Sequence, residues 1–390
     1  MNFYFNKDKL LENATLVDGI LNTTESMECK SISLNTLLES NPLDLQYKQL
    51  FFQMLSSEQT LENKIWDILS NKSIQSVKKP LDVKSKEEYL QKIRFSISEG
   101  SAIKFVMIAF PFKATNPFKT NRTHPDFGEL VMLMRMHTLA KIVEMVYPPG
   151  LHWTILTEST LYQEILGAPL THSVSYINGI KEFVKSIGAS NHISFEELAS
   201  VCNRHEQFSQ TVQSIESELD IVITQPQTTE AIEHQKILWT MLFSVNMGSL
   251  DLLQLCEYHF SLSQNKSLEE ISKVWPDMFQ SAVVATKGYL ALNRARAILA
   301  ENGGNLISDM FPEHCYLSLT QKNNRYCFIS LSGKNIFLPH HGVPVLEGER
   351  DNQRVIISPL ADVLFSKNHK YCAWYLDGDK ENKPFYYARI

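Results

Sequence analysis

Apolar positions gather in two short, almost uninterrupted runs separated by a longer segment with helical spacing. Ile103-Lys104-Phe105-Val106-Met107-Ile108-Ala109 and Leu151-His152-Trp153-Thr154-Ile155-Leu156-Thr157 have the length and the β-branched, aromatic composition of buried strands. Between them Leu130, Leu133, Met134, Met136, Leu139, Ile142, Val143 and Val146 recur at the period of a helix that runs to about Tyr147, where Pro148-Pro149-Gly150 ends it. Strand, helix and strand in this order predict a βαβ unit of a parallel sheet, with the segments leaving both strands on one edge. Residues 158–167 read as the second of those loops and carry Glu158.

The flanking pattern is different on each side. Residues 1–100 read as a helical region, periodic over 43–55 and 61–69 and again over 86–96, with a solvated connector through Lys78-Lys79-Pro80 and Lys84-Ser85-Lys86. From Ser173 to Arg296 the chain reads as mostly helical, with Ser194 and Glu197 at the spacing of a capping box. Asp220–Thr224 suits either a short strand or the tail of the preceding helix. Beyond Cys315 strand formers dominate: candidates lie at 316–319, 326–331, 336–338 and 354–357, and 383–387 reads as an edge strand. The whole predicts an α/β chain built on a Rossmann-like, mostly parallel sheet flanked by helices. Its parts are a helical amino-terminal region (1–100), a core with a helical insertion (101–312) and a smaller carboxyl-terminal, β-rich part (313–390) that completes the site.

Totals narrow the class. The 390 residues, 44% hydrophobic, can fill one large domain or two. With 37 basic and 43 acidic side chains the net charge is −6, which argues against a nucleic-acid binder because counterion release needs a basic surface. Six scattered cysteines suit reduced thiols of a cytoplasmic protein, and neither a signal sequence nor a membrane span is expected. No Walker loop, Gly-x-Gly-x-x-Gly or Gly-x-Ser-x-Gly occurs, so nucleotide cofactors and a serine nucleophile are not indicated.

Candidate chemistry concentrates just after the first strand. Pro111 and Pro117 forbid continuation of a sheet ladder, so the chain leaves as a loop carrying Lys113, Asn116, Lys119, Thr120 and Arg122. Cations among amide and hydroxyl donors at the carboxyl end of a strand suit an anionic small molecule such as a sugar phosphate. Asp126 and Glu129 open the next helix, where a cap and a negative charge are both favoured, and are also candidate substrate contacts. Glu158, at the second strand end, suits an amine or a general base. His340 and His341, in a turn between Pro339 and Gly342, are candidate acid–base or phosphate-binding groups; neighbouring histidines that point to opposite faces do not suit joint metal ligation.

Phe110, Pro111, Lys113, Asn116, Pro117, Lys119, Thr120, Pro125, Asp126, Gly128, Glu129, Tyr147, Pro149 and Gly150 follow one another in a pattern that resembles the pyoverdine and dityrosine biosynthesis family of isonitrile synthases. A second block is similar to the same family: Asn293-Arg294-Ala295 through Phe311-Pro312, then Tyr316–Leu319 and Pro339-His340-His341-Gly342-Val343. The chain departs from the family pattern at Glu158 and Ser159, at Thr320 and Gln321, and at His340. The resemblance implies an enzyme of transferase or lyase character in secondary metabolism. It would condense the amine of an aromatic amino acid with ribulose 5-phosphate, without metal or organic cofactor. It also implies a non-haem iron oxygenase acting downstream, and no nucleic-acid or membrane partner. Two other outcomes fit the departures: N-formylation of an amino acid, as in the dityrosine branch, or a metabolite-binding homologue without catalysis.

Overall fold

The structure, a computed structural model, describes residues 27–39, 58–70, 83–113, 119–120, 122–245, 247, 249–250, 252–264, 266–301, 304–318, 338–348, 353–364, 366, 368–379 and 383–390. Asn116, Thr320, Gln321, Lys78-Lys79-Pro80, the helix read over 43–55 and the strand read over 326–331 lie outside the described residues, as do 336 and 337.

In chain order the elements are β1 (Glu28–Ile32), α1 (Leu34–Glu39), α2 (Leu61–Leu69), α3 (Val83–Ser98), β2 (Ile103–Ala109), α4 (Phe127–Val146), β3 (Leu151–Thr157), α5 (Ser159–Leu166), α6 (Leu170–Ser186), β4 (Ile193–Glu197), α7 (Leu198–Cys202) and α8 (Phe208–Glu218). Then come α9 (Thr229–Leu242), α10 (Leu252–Ser263), α11 (Leu268–Val274), α12 (Pro276–Ile298), α13 (Leu306–Met310), β5 (Cys315–Leu317), β6 (Val343–Glu347), β7 (Arg354–Ser358), α14 (Leu360–Leu364), β8 (Tyr371–Leu376) and β9 (Tyr386–Arg389).

The strands form two sheets. One is wholly parallel in the order β4-β3-β2-β5, with Ile103–Ala109 in register with Leu151–Thr157. Helices cover both of its faces, which is why β2 and β3 are apolar almost throughout rather than alternating. Phe105, Met107, Trp153 and Ile155 point into the larger core with α4 and α6; Val106 and Leu156 point into a smaller one with α7, α12 and α13. Successive strands run to one side of β2 as far as β4, and β5 then returns to its other side, so the sheet reverses its winding between β2 and β5.

The second sheet is mixed, in the order β1-β8-β9-β6-β7. Its β9 is antiparallel to β8 and parallel to β6, so the segment expected at an edge lies in the middle. The correction has a physical reason: Phe385, Tyr386 and Tyr387 are all buried, and a strand carrying them needs cover on both sides. Phe385 and Tyr386 lock the two sheets together, their rings lying 6.2 and 4.9 Å from that of Phe127 at the start of α4.

Three further readings are corrected. Lys84, Ser85 and Lys86 belong to α3, where Lys86 lies over the Trp66 ring at 5.8 Å. Ser194 and Glu197 stand in β4, because β3 offers an unpaired edge that a strand must fill. Residues 158–167 are not a loop: all but Glu158 and Gly167 form α5, and Gly167 closes it with φ +66°. Asp220–Thr224 is neither strand nor helix. Of the cysteines, Cys202, Cys315 and Cys372 are buried free thiols and Cys29 is exposed. No helix among the described residues is long and apolar enough to cross a membrane.

Trp153 joins both elements of the βαβ unit: its ring stacks on Phe105 at 4.9 Å, and its indole Nε1 donates to the Met136 carbonyl at 3.1 Å. Replacing it by alanine leaves a large hole and removes the indole hydrogen bond, and is expected to cost ~3–5 kcal/mol in urea unfolding. A loss below ~1 kcal/mol would contradict this packing.

Candidate active site

The cavity opens at the carboxyl ends of β2, β3 and β5, beside the reversal of winding where open α/β sheets hold their ligands. It encloses about 370 Å³. Ile108, Pro111 and Phe112 line it from the exit of β2, Glu158 from the exit of β3, and Leu317 and Ser318 from the exit of β5. The opposite wall comes from α9, α12 and the turn holding Phe243, Ser244 and Val245.

The chain leaves β2 under strain. Phe110, a buried aromatic residue, has φ +56°, a conformation that side chains of its size rarely adopt. The turn sends Phe112 to the cavity and Lys113 away from it. Lys113 is fully buried, its ammonium paired with the carboxylate of Asp126 and lying 3.0 Å from that of Glu129. Asp126 caps α4 by accepting from Gly128 N at 2.9 Å, Glu129 reaches back to Asp126 N at 2.8 Å, and Tyr176 donates to Glu129 at 3.0 Å. Burial, with Glu129 alongside, pushes the Asp126 carboxyl well above its usual range. Two carboxylates therefore face one ammonium in a closed polar cluster that holds the β2 exit against the start of α4.

Arg122 is likewise placed away from the cavity. It pairs with Asp379 at 2.5 Å, donates to the Lys383 carbonyl at 2.7 Å and lies over the Phe385 ring, tying the rim to the second sheet. The buried Thr120 hydroxyl accepts from Arg122 N at 3.3 Å. Lys119 does line the cavity, with Leu360 N donating to its carbonyl at 2.9 Å and its Nζ 3.5 Å from the Ser244 hydroxyl. Withdrawal of the ammonium from water lowers its pKa to about 8.

His340 and His341 form a single 3₁₀ turn with Pro339, and both line the same cavity as Lys119. Their rings are 4.2 Å apart, so the turn brings together two side chains that a strand would have sent to opposite faces. Gly342 ends the turn against β7, where a Cβ would fall on the Ser358 carbonyl. Burial holds His340 well below the ordinary imidazole range and brings His341 down to about 3, with the Lys119 charge acting in the same direction on both. These shifts favour neutral imidazoles at pH 7, a form suited to hydrogen bonding rather than to carrying positive charge.

Glu158 precedes α5 without capping it. That duty passes to Glu197 across the sheet, which accepts from Thr157 Oγ1 at 2.7 Å, Ser159 Oγ at 3.2 Å, Thr160 N at 3.2 Å and Thr160 Oγ1 at 2.6 Å. A helix start held from a neighbouring strand leaves Glu158 turned to the cavity. Tyr162 and Tyr289 stand beside it, their phenols raised by burial first and by the Glu158 charge second. Tyr289, Asn293 and Arg296 share one face of α12; sequence reasoning placed Asn293 and Arg296 in the second family-like block without proposing them for the site and passed over Tyr289, though their i+4 and i+3 spacing was the available signal.

Residues 93–356 match the family model described as pyoverdine/dityrosine biosynthesis protein. The chain belongs to this family. Curated relatives include an L-tyrosine isonitrile synthase of Pseudomonas aeruginosa, 28% identical over 31% of this chain and 38% of that protein. An L-tyrosine isonitrile synthase of Xenorhabdus nematophila is 28% identical over 30% of this chain and 35% of that protein. An L-tryptophan isonitrile synthase of Fischerella ambigua is 28% identical over 26% and 31%. The chain thus spans little more than a third of the length of the curated relatives it matches. The crystal structure of the PvcA protein from Pseudomonas aeruginosa has the same fold, with a TM-score of 0.60 at 19% identity over 84% of this chain and 99% of that one.

Lys119 predicts a pH profile for anion binding. A folded pKa of about 8, below the ordinary lysine value of 10.5, means that the ammonium is lost as pH rises through 8, while inorganic phosphate stays dianionic. Phosphate affinity measured by calorimetry is expected to fall about tenfold per pH unit from pH 8 to pH 10. Lys119→Met should bind weakly with a flat profile over that range. A wild-type profile equally flat would remove Lys119 from the anion site.

Proposed function

We propose that this chain is an isonitrile synthase-like enzyme that joins the amine of an amino acid to the ketone carbon of ribulose 5-phosphate. The observation that carries the reading is one cavity at the carboxyl rim that sets a desolvated Lys119 and the carboxylate of Glu158 on its walls. Lys119 pairs with the phosphate, and in the low-dielectric cavity that pairing favours its protonated form. His340 and His341 donate to phosphate oxygens, and the incoming dianion offsets the burial that otherwise keeps them neutral. Glu158 takes a proton from the substrate ammonium, so that the nitrogen lone pair can attack the ketone carbon. As the N–C bond forms, the ketone oxygen needs a proton. The Tyr162 and Tyr289 phenols, kept protonated by burial and lining one recess with Glu158, supply it in this reading. Loss of water then gives the imine.

The family resemblance supports the later course: phosphate departs and carbon–carbon bonds break, leaving one carbon on the nitrogen. Phe112, Tyr162, Phe243, Tyr289 and Tyr316 line the cavity and favour an aromatic side chain, as in the tyrosine and tryptophan enzymes it is similar to. Lys113, Asp126 and Glu129 act in this reading as positioning residues, and Arg122 with Thr120 holds the rim in place.

The decisive experiment incubates the full chain with ribulose 5-phosphate carbon-labelled at the ketone and each of the amino acids, read by mass spectrometry. An aromatic amino acid bearing one labelled carbon as an isonitrile is the expected product. A product heavier by one water is the formamide and assigns the N-formylating activity instead. Thermal stabilisation by ribulose 5-phosphate without any labelled amino acid would overturn the enzymatic reading in favour of a metabolite-binding protein.

A further inference from the structure

Arg296 lies in the last turn of α12, only 7% exposed, and its side chain lines the cavity. Its Nη2 donates to Asn293 Oδ1 at 2.7 Å, and Asn293 is itself held by donating to the Tyr289 carbonyl at 2.8 Å. Nε and Nη1 have no hydrogen-bond partner among the described residues. A guanidinium buried to this degree with two donors unmet is costly unless a ligand completes it. The group that suits it is planar and anionic with two oxygens.

Two arguments choose a carboxylate over the phosphate. Glu158 faces Arg296 across a small recess of the cavity that the two line together with Tyr162, Tyr289 and Asn293. A dianion placed there would meet Glu158, whereas a zwitterion presents an ammonium to Glu158 and a carboxylate to Arg296. Lys119, His340 and His341 line the cavity outside that recess, a separate part suited to the phosphate.

We infer that Arg296, oriented by Asn293 and set beside Glu158, anchors the α-carboxylate of the amino-acid substrate while Glu158 meets its ammonium. The inference rests on the proposed amino-acid chemistry for its ligand class, and it adds the residue that would make a free amino acid, rather than any amine, the accepted substrate. The clamp also fixes which way the nitrogen faces, toward the phosphosugar held by Lys119.

Calorimetry on the full chain tests it without turnover. Tyrosine, tryptophan and the other amino acids are compared with tyramine and tryptamine, which keep the amine and the ring but lack the carboxylate, and ribulose 5-phosphate is titrated separately. Wild-type protein is expected to bind its preferred amino acid about 150-fold tighter than the matching amine, the lower end of the worth of two hydrogen bonds to a charged group. Arg296→Gln should erase that preference and leave ribulose 5-phosphate affinity within about twofold. Asn293→Asp keeps the arginine but supplies an internal carboxylate, and should erase it too, which guards against a folding defect in the first variant. A preference that survives in Arg296→Gln, a variant that loses ribulose 5-phosphate instead, or a wild-type chain that binds no amino acid would each overturn the inference. Carboxylate-dependent binding without any labelled product would uphold the clamp and refute the synthase, so the two failures are distinguishable.

Discussion

The enclosed contact of Lys113 with Asp126 and Glu129 decides how the rim of the parallel sheet is used. An ammonium and two carboxylates taken wholly out of water are tolerable only when each satisfies the others, and here the cap of α4 and the Tyr176 hydroxyl complete the set. The contact welds the strained exit of β2 to the helix that follows it. It also commits the first cation of the rim to structure, as Asp379 commits Arg122. Lys119 is left on the cavity wall, where its charge is unshielded enough by carboxylates for burial to dominate its pKa.

The two ends of the cavity are made by different means. The Lys119 end is assembled from turns, one of them the Pro339–His341 turn wedged against Ser358 through Gly342, and it depends on the second sheet for its position. The Glu158 and Arg296 end is carried on helices, with α5 started from Glu197 of β4 and α12 presenting three polar or aromatic groups on one face. Helical support fixes directions closely, which suits the group that must orient a nitrogen; turns tolerate the variable protonation and bulk of a phosphate.

Much of this was readable in the residues and some was not, for reasons that differ. β2, α4 and β3 stood out because both faces of the sheet are buried and the apolar runs are correspondingly unbroken. Ser194-x-x-Glu197 and Ser267-x-x-Glu270 carry the same local signal, yet the second opens α11 with a capping box and the first is a strand. Local spacing cannot register that β3 has an edge to be filled. β9 was misplaced to an edge for the same reason, and β6 and β8 were overlooked, because pairing partners distant in the chain decide where a short aromatic strand sits. Lys113 and Arg122 were expected at the anion site because sequence shows charge but not the carboxylate that neutralises it. Arg296 lay inside the second family-like block but was not proposed for the site, because an arginine in a last turn has an ordinary role at a helix terminus.

The central place of β9 carries a consequence for biogenesis. Among the described residues, pairs β1–β8 and β6–β7 meet only through it, so on the ribosome neither half can be joined to the other until residues 386–389 have emerged. The parallel core can condense earlier, since its strands lie upstream. A nascent chain would then carry the parallel core with its histidine turn already seated on β7, while Arg122 still waits for Asp379 and Lys383 to close the rim.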